Sequence, residues 1–376
     1  MKTSPEILDQ MIAINDGDDR PLHTQLRRSL RSLIERHFND GERFFSESEL
    51  IARLGLSQGT VRRALSDLAR EGLIERRVAK GSFVRKSVLT SPQHRSMGFF
   101  VPAFESAFWS LLIEQFSRLC RQVECGISVY HTERGEKLGD AFRCLLQHPP
   151  TQERVVLMGG QETAARLLAA LDDRGYRTVV LDTPMGPEHA FVGVDNQQGI
   201  RLALNHLMDL GHHRIALLIN DHSNHPNVAL RRHAYRAFMA DRALPPLELD
   251  CGVKPWDNSY EVTYQAIGRL WAGVTPPTAL LAVTDQGAWA AMRWCAEKGI
   301  RVPEELSIVG FDDDRPSRFT QPPLTSVAQP VEIIAAKAMN LLWDDVTPLK
   351  HELVAPNLVV RASTAPPAQG RAAAAE

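Results

Sequence analysis

The spacing of apolar residues divides the chain into two parts with different periods. Between residues 21 and 86 apolar side chains recur every three or four positions, as on helices with one buried face. Beyond residue 96, short apolar runs such as "RVVLM", "TVVLD" and "RIALLIN" alternate with helical stretches. Parallel strands covered on both faces by crossover helices produce this alternation. The pattern therefore predicts a multidomain protein, with a small α+β domain followed by a larger α/β domain.

Three helices and a hairpin are predicted in the first part. Ser46 and Glu49 form the Ser-x-x-Glu pattern of a capping box, so a helix begins there, and Gly55 ends it. Ser57 caps the next helix, which runs to Gly72. Two short alternating strands follow, with "VAKG" as the tip of the hairpin. An earlier helix carries its apolar stripe at Leu22, Leu26, Leu30, Leu33 and Ile34.

The helix that starts at Ser57 has one apolar and one cationic face. On a helical projection the apolar face is formed by Val61, Ala64, Leu65 and Leu68. The opposite face carries Gly59, Arg62, Arg63, Ser66 and Arg70. A cationic helix face is often only solvated, but here a capped helix, a short turn and a basic hairpin accompany it in order. That arrangement is typical of proteins that place arginine forks against base edges in a major groove.

Charge is distributed unevenly along the chain. The formal net charge of the whole chain is −2. From residue 60 to residue 86, however, eight lysine and arginine residues stand against three acidic residues. This local excess indicates a polyanionic partner.

The segment from Pro21 to Val84 resembles the GntR family of winged helix-turn-helix regulators. Its pieces "SESELIARLGLS", "TVRRALSDLAREGLIERR" and "KGSFV" match the motif of that family in order. The resemblance implies a recognition helix that contacts DNA and a wing that approaches the DNA backbone. Ser48 and Gln58 replace arginines that are common in the family, so the operator sequences of relatives do not transfer. The DNA contacts that we expect are Ser46, Ser48, Ser57, Gln58, Gly59, Thr60, Arg62, Arg63, Lys80 and Gly81.

Several polar residues of the second part follow apolar strands, where open α/β sheets place their ligands. Asp182, Asp285 and Asp312 each come directly after such a run, or within two residues of it. Arg231 lies at a helix start, and Trp256 lies in "KPWDN". Carboxylates and an arginine fork bind paired hydroxyls, and an indole can stack on a sugar ring. Each residue alone also has a structural explanation, since aspartates often cap helices and tryptophans often lie in cores.

From Arg95 to Thr364 the chain resembles the ligand-binding domain of the LacI/GalR family. The most specific matches are "FVGVDNQQGIRLALNHLMDLGHHRIALL", "GIRVPEELSIVGFDDD" and "QPPLTSVAQP". Thr284 and Gly159 stand where amide side chains are common in the family, so the effector of relatives does not transfer. The effector contacts implied by the resemblance are Phe104, Ser106, Phe108, Trp109, Asp182, Arg231, Trp256, Thr284, Asp285, Asp312 and Gln329.

The two resemblances together predict the domain organisation. We expect an extension at 1–19, a GntR-type winged helix domain at 20–86, a linker at 87–96, a two-subdomain periplasmic-binding-protein-like α/β domain with parallel sheets at 97–363, and a disordered tail at 364–376. The combination resembles the arabinose-responsive repressors and similar chimeras. LacI-type heads continue into a hinge helix that enters the minor groove, whereas "KSVLTSPQHRS" has no helical pattern. We therefore expect ligand closure to change the spacing of two heads instead.

The implied function is that of a ligand-responsive transcriptional regulator, a repressor of carbohydrate-utilisation genes. It would bind a pseudo-palindromic duplex operator as a homodimer and respond to a small sugar. The alternatives are a nucleobase effector, or a LacI-type α/β domain that serves only to dimerise the DNA-binding domains. The sequence has no apolar run of about 18 residues, and its N-terminus is polar and acidic. We accordingly expect a cytoplasmic location and no membrane partner.

Motifs of enzymes and of metal sites are absent from the sequence. "GGQETAA" follows a strand but lacks the Gly-Lys-Ser/Thr ending of a phosphate loop. No His-Glu-x-x-His motif occurs, and the one Gly-x-Ser-x-Gly string, "GLSQG" at 55–59, lies between two predicted helices instead of on the strand-to-helix turn of a nucleophile elbow. The five cysteines are scattered, and the histidines between 206 and 225 are interpreted as structural or solvated. We expect no enzymatic activity, no metal and no cofactor, and a secreted transport component would have no use for the basic first domain.

Overall fold

The computed structural model describes residues 21–70, 72–77, 81–85, 96–102, 107–132, 153–160, 162–255, 257–343 and 350–368. Within these ranges a small helical head precedes two α/β subdomains, each built around its own six-stranded sheet. The extension predicted at 1–19 and residues 87–95 of the predicted linker lie outside the described residues.

The head, residues 21–85, confirms the predicted three helices and hairpin. Its elements are α1 (Leu22–His37), α2 (Glu47–Leu54), α3 (Gln58–Arg70), β1 (Ile74–Arg77) and β2 (Gly81–Val84), with β1 and β2 antiparallel.

The apolar stripes of the three helices form the core of the head. Leu26, Leu30, Leu50, Val61 and Leu68 are fully buried there. The predicted capping box is present at the start of α2. This core holds α3 with its opposite, cationic face in solvent, as the pattern requires.

The N-terminal subdomain begins with a run of strands and helices that share one sheet. They are β3 (Ser96–Pro102), α4 (Ala107–Gln122), β4 (Gly126–Thr132), β5 (Glu153–Met158), α5 (Glu162–Asp173), β6 (Arg177–Leu181) and β7 (Ala190–Val194).

The C-terminal subdomain follows with the same alternation. Its elements are α6 (Asn196–Asp209), β8 (Ile215–Ile219), α7 (Pro226–Ala240), β9 (Leu247–Asp250), α8 (Ser259–Ala272), β10 (Ala279–Ala282), α9 (Asp285–Lys298), β11 (Ser307–Asp312), a 3₁₀ turn (Arg315–Arg318) and β12 (Thr325–Ala328). The chain then returns with α10 (Val331–Trp343), β13 (His351–Val354) and β14 (Asn357–Val359).

The two sheets are parallel with one exception, which confirms the predicted fold class. The first has the order β13-β7-β6-β5-β3-β4 and the second the order β14-β12-β11-β10-β8-β9. Only β14 runs antiparallel to its neighbour among the described strands of these two sheets. The chain passes between the subdomains near Asp195, near Gln329 and between β13 and β14. A cleft between the subdomains is therefore bordered by these crossings and by the ends of parallel strands.

The predicted disordered tail begins too early. Ala365, inside that tail, accepts hydrogen bonds from His212 Nε2 (2.8 Å) and from Ser307 Oγ (3.0 Å). His206 Nε2 lies 2.9 Å from Thr364 Oγ1. The prediction failed because these partners are far away in the sequence and give the tail no local pattern. The same contacts confirm that His206 and His212 are structural.

Candidate DNA-binding face and ligand cleft

The predicted recognition helix presents an ordered polar group at its N-terminus. Ser57 Oγ accepts a hydrogen bond from the backbone amide of Thr60 (3.2 Å) and lies 2.8 Å from its hydroxyl, so Ser57 caps α3. Arg62 Nη2 and Gln58 Nε2 both donate to Glu47 Oε1, each at 3.1 Å. The hydrogen bond from Arg62 is the main cause that lowers the pKa of Glu47. The carboxylate thus holds two candidate base-reading side chains next to each other on an exposed face.

The other predicted DNA contacts surround this group. Ser46 and Ser48 lie at the start of α2 with their hydroxyls 3.1 Å apart, and Gly59 and Arg63 are exposed on α3. Gly81 opens β2 with φ of +100°, a conformation that favours glycine at the end of the wing. Lys80 lies outside the described residues.

A row of buried hydrogen bonds starts on the N-terminal subdomain and enters the C-terminal one. Asp182, one residue beyond β6, accepts from Asn227 Nδ2 through Oδ1 (2.7 Å). Asn227 Oδ1 in turn accepts from Asn196 Nδ2 (3.2 Å), and Asn196 Oδ1 accepts from Arg231 Nε (2.7 Å). The three residues that follow Asp182 in this row, Asn227, Asn196 and Arg231, are buried on α6 and α7. The row therefore joins the two subdomains through directional bonds.

Arg231 continues the row towards the crossing at Gln329. Its guanidinium donates to the carbonyl of Val283 and lies over the ring of Phe311, 3.6 Å from the ring centroid. Nη2 of Arg231 is 4.0 Å from Asp312 Oδ1, which also accepts from Gln329 Nε2 at 2.7 Å. We call the connected side chains the polar chain: Asp182, Asn196, Asn227, Arg231, Asp312 and Gln329.

The two carboxylates of the polar chain lie on unusual backbone and carry perturbed pKa values. Asp182 has φ of +70° and Asp312 has φ of +120°, conformations that non-glycine residues rarely adopt. Burial raises the pKa of Asp182, and it raises the pKa of Asp312 to about 6, with Arg231 opposing both shifts. Strained backbone and desolvated carboxylates together are typical of a binding site, where a bound ligand completes the hydrogen bonding.

Thr183 is a candidate site residue that the sequence did not reveal. Its hydroxyl is buried, and no described residue forms a hydrogen bond with it. A Cβ built on Gly160 would lie 3.0 Å from this hydroxyl and 3.0 Å from His225 Nε2, so both atoms face the space that the glycine leaves. His225 Nε2 is also 3.9 Å from Asp182 Oδ2. At Gly159 a Cβ would lie 1.9 Å from the carbonyl oxygen of Thr183, so the amide common in relatives has no room here.

Other predicted effector contacts are placed differently. Phe108 packs in the hydrophobic core of the N-terminal subdomain, and Trp109 packs against that core. The hydroxyl of Thr284 accepts from Asn220 Nδ2 at 2.5 Å. Phe104, Ser106 and Trp256 lie outside the described residues. The aromatic wall predicted for the cleft therefore remains a prediction for Phe104 and Trp256, whereas Phe108 has a core position.

Asp285 is fully buried, and its carboxylate is occupied by hydrogen bonds from the protein. It accepts from Ser326 Oγ (2.6 Å), from Ser317 Oγ (2.6 Å) and from the backbone amide of Asp314 (2.9 Å). Burial and the nearby charge of Asp312 raise the pKa of Asp285 to about 8. The carboxyl ties the loop after β11 and strand β12 to the start of α9, a structural role that differs from the predicted effector contact.

Replacing Asp285 with Asn should flatten the dependence of stability on pH. The folded protein keeps a proton on Asp285 up to about pH 8, while the unfolded chain loses it near its ordinary pKa of 3.8. The folded state therefore binds this proton over a pH range where the unfolded chain has lost it, so stability from this group is complete below the ordinary pKa and falls as pH rises towards 8. In urea unfolding between pH 5 and pH 8, the free energy of unfolding should therefore fall less with rising pH in the variant than in the parent. If the unfolding free energies of variant and parent changed equally with pH, Asp285 would not hold a buried proton. Asp241→Asn, at an exposed position, is the control.

The described residues contain neither a metal centre nor a membrane-spanning helix. Nowhere in these ranges do three or more His, Cys, Asp or Glu side chains converge in a way that could hold a metal ion. Each helix that the structure describes is too short or too polar to cross a bilayer. What the polar chain offers is a set of hydrogen-bond donors and acceptors for a small polar molecule.

Two segments of the chain match known domain families. Residues 22–84 match bacterial regulatory proteins of the gntR family, and residues 204–364 match the periplasmic binding protein-like domain. These ranges contain the candidate DNA-binding face and most of the polar chain, respectively.

The relatives that the chain matches over these two domains include HTH-type transcriptional regulators. The chain is 35% identical over 205 residues to an uncharacterized HTH-type transcriptional regulator of Streptomyces limosus, a match that covers 53% of this chain and only 58% of that relative. It is 27% identical over 282 residues to the HTH-type transcriptional repressor PurR of Haemophilus influenzae, which covers 72% of this chain and 81% of the repressor.

Solved structures share the fold of the two subdomains. A LacI family transcriptional regulator from Enterococcus faecium with bound ribose superposes with a TM-score of 0.62 at 22% identity, covering 72% of this chain and 99% of that one. The lac repressor dimer bound to operator and the anti-inducer ONPF gives a TM-score of 0.61 at 22% identity, covering 74% and 97%. At this identity the two structures show a common fold.

Proposed function

Since the chain is a DNA-binding transcriptional regulator of the LacI type with a gntR-type head, we propose that a small polyhydroxyl ligand, bound between its subdomains, controls operator binding. The observation that carries the proposal is the polar chain. Side-chain hydrogen bonds through Asn227 and Asn196 link Asp182 on one subdomain to Arg231 on the other. Arg231 in turn forms an ion pair with Asp312 at 4.0 Å. A ligand that bonds to both ends favours the closed arrangement by its differential affinity for it.

The chemistry of the polar chain favours a sugar. Each carboxylate oxygen has two lone pairs, so Asp182 and Asp312 can accept from ligand hydroxyls besides the amides that already donate to them. Arg231 supplies a cationic donor between them. The regulator of the same fold from Enterococcus faecium holds ribose, which supports the same class of ligand here. We propose that the protein represses carbohydrate-utilisation genes in response to such a molecule.

The oligomeric state that fits this function is a homodimer on a pseudo-palindromic operator. One recognition helix reads one half-site, and two heads are needed for a symmetric site. We propose Phe319, which follows the 3₁₀ turn with 82% of its surface exposed, as a contact residue of the partner protomer. The lac repressor with the same fold binds its operator as a dimer.

Replacing Thr183 with Val should weaken ligand binding while it stabilises the ligand-free protein. The buried hydroxyl lacks a partner in the described structure, so its removal should add about 1 kcal/mol of folding stability. If a ligand hydroxyl bonds to it, the same change should reduce affinity about tenfold. Thr178→Val is the control, since it removes another buried, unpartnered hydroxyl, on β6. Equal ligand affinity in both variants would remove Thr183 from the site.

The class of ligand is tested by thermal unfolding of the whole chain with a panel of pentoses, hexoses, uronic acids, disaccharides and nucleobases. A specific ligand at 100 times its dissociation constant should add about 2.7 kcal/mol of stability. A sugar that shifts the midpoint supports the proposal. If only nucleobases shifted the unfolding midpoint, the ligand class would be nucleobases and not sugars. If no compound shifted the midpoint, the two α/β subdomains would serve only for dimerisation.

A further inference from the structure

The head contacts the N-terminal subdomain through arginines of α1. Arg27 is only 3% exposed, which is unusual for a charged side chain on a small domain. Its Nη1 donates to the carbonyl of Asp173 at 3.1 Å and its Nη2 to the carbonyl of Asp172 at 3.5 Å, on the last turn of α5. One helical turn later, Arg31 Nη1 donates to the carbonyl of Gly175 at 3.2 Å.

These acceptors are suited to cations. The last carbonyls of a helix have no partner within the helix, and they carry the negative end of its dipole. Arg27 and Arg31 of α1 add donors across the domain boundary to the carbonyls of Asp173 and Gly175. The carbonyl of Asp172, the weaker acceptor of Arg27, also accepts from the backbone amide of Gly175 at 2.9 Å. Arg28 Nη2 adds an ion pair with Asp172 Oδ1 at 3.8 Å. The contact is therefore specific in geometry as well as in charge.

Gly175 makes room for the contact. Its φ is +78°, and a Cβ built there would lie 2.5 Å from Arg27 Nη2 and 2.8 Å from Arg27 Cζ. Any other residue would be strained and would also push the guanidinium away. Gly252 provides a comparison, because its φ is +75° but a Cβ there would meet no atom within 4 Å.

The acidic partner of this contact also binds the loop that leads from the ligand cleft. His189 Nε2 is 2.7 Å from Asp172 Oδ2, while Arg28 lies on Oδ1 of the same carboxylate. The loop between β6 and β7 starts with Asp182 and Thr183 at the cleft and reaches His189 just before β7. A single carboxylate thus connects the head to the segment that borders the cleft.

We propose that Arg27, Arg28 and Arg31, which we call the arginine clasp, fix the DNA-reading head to residues 172–175 of the N-terminal subdomain, so that the two move as one body. The coupling to ligand rests on the proposed function, whereas the fixed attachment does not. Movement of the N-terminal subdomain then reorients the recognition helix without a hinge helix. In a dimer the clasp also presets the relation of the two heads to two half-sites.

The attachment is tested in the full chain without ligand or DNA. Spin labels are attached to cysteines introduced at two exposed positions, Arg70→Cys on the head and Arg166→Cys on α5, in a chain that also carries Cys144→Ser. Pulsed electron paramagnetic resonance then measures the distribution of distances between the two labels. We expect a narrow distribution in the parent and in Gly252→Ala, and a broad one in Arg27→Ala and Gly175→Ala. A narrow distribution in Arg27→Ala, or an equally broad one in both glycine variants, would overturn the clasp.

The consequence for DNA binding is tested with half-site and full-site duplexes chosen from a random pool. A head that swivels keeps its own contacts but loses preorganisation for the second half-site. Arg27→Ala should therefore bind a half-site as the parent does and bind the full site roughly tenfold more weakly. Equal losses on both duplexes would contradict the clasp, whereas a parent that selects no DNA at all would contradict the proposed function and leave the distance measurement to decide on the attachment.

Discussion

Replacing Arg231 with Ala should abolish the response of DNA binding to ligand and leave DNA binding itself in place. The guanidinium joins Asn196 to Asp312 in the polar chain, at 2.7 and 4.0 Å, and it is 4% exposed. Its removal leaves the carboxylates of Asp182 and Asp312 without their buried cation. We expect ligand affinity to fall at least about 100-fold, and folding stability to fall by about 3 kcal/mol.

The adjacent arginine provides the control for this experiment. Arg232 forms its ion pair with Glu248 at 2.6 Å near the surface, and Arg236 binds the same carboxylate. Arg232→Ala should therefore cost less than about 1 kcal/mol of stability and leave ligand affinity unchanged. Calorimetric titration and urea unfolding measure both quantities. If Arg231→Ala binds ligand as tightly as Arg232→Ala does, the ligand lies elsewhere.

Replacing Arg62 with Ala should weaken operator binding about 10- to 100-fold, the usual effect of losing a bidentate arginine contact to a base. The side chain lies on the exposed face of α3 near its capped N-terminus, where recognition helices reach base edges. Fluorescence anisotropy with the selected full-site duplex measures the change. Ligand affinity should remain that of the parent, because the head does not border the cleft.

A control on the same helix separates base reading from charge. Arg70 lies at the other end of α3, with its side chain 76% exposed and paired to Asp67 at 2.7 Å. Arg70→Ala should change operator affinity little. If Arg62 contacts a base, its loss also relaxes sequence preference; if it contacts a phosphate, binding weakens on all duplexes and the salt slope falls by about one. Parent-like operator binding by Arg62→Ala would refute its assigned role.

The head was predictable from sequence because its signals are local. The capping box at Ser46 and Glu49, the cap at Ser57 and the apolar stripe through Val61 and Leu65 each act within one or two helical turns. Local signals of this kind are readable without knowledge of the fold.

The polar chain was only partly predictable because its bonds join distant parts of the chain. Asp182, Arg231, Asp312 and Gln329 follow from strand ends and family resemblance, but Asn196 and Asn227 gave no such signal. Thr183 and His225 become candidates only through the space beside Gly160. The two adjacent glycines that follow β5, Gly159 and Gly160, are the local sequence signal for a place where a side chain has no room.

Asp285 shows the opposite error. It follows a strand as Asp182 does, but two serine hydroxyls and a backbone amide occupy its carboxylate. Sequence position places each aspartate at the carboxyl end of a parallel strand, Asp182 in the first sheet and Asp285 in the second. Whether a carboxylate serves a ligand or the protein depends on which donors the rest of the fold brings to it.

Operator binding by the full chain, measured while the ligand found by thermal unfolding is titrated, tests whether the cleft controls DNA binding. We expect saturating ligand to change operator affinity at least fivefold, the lower range of coupling between two sites. Arg231→Ala should show no change at the same ligand concentration. A parent protein that binds the ligand by calorimetry, yet holds its operator equally well with and without it, would contradict control of DNA binding from the cleft.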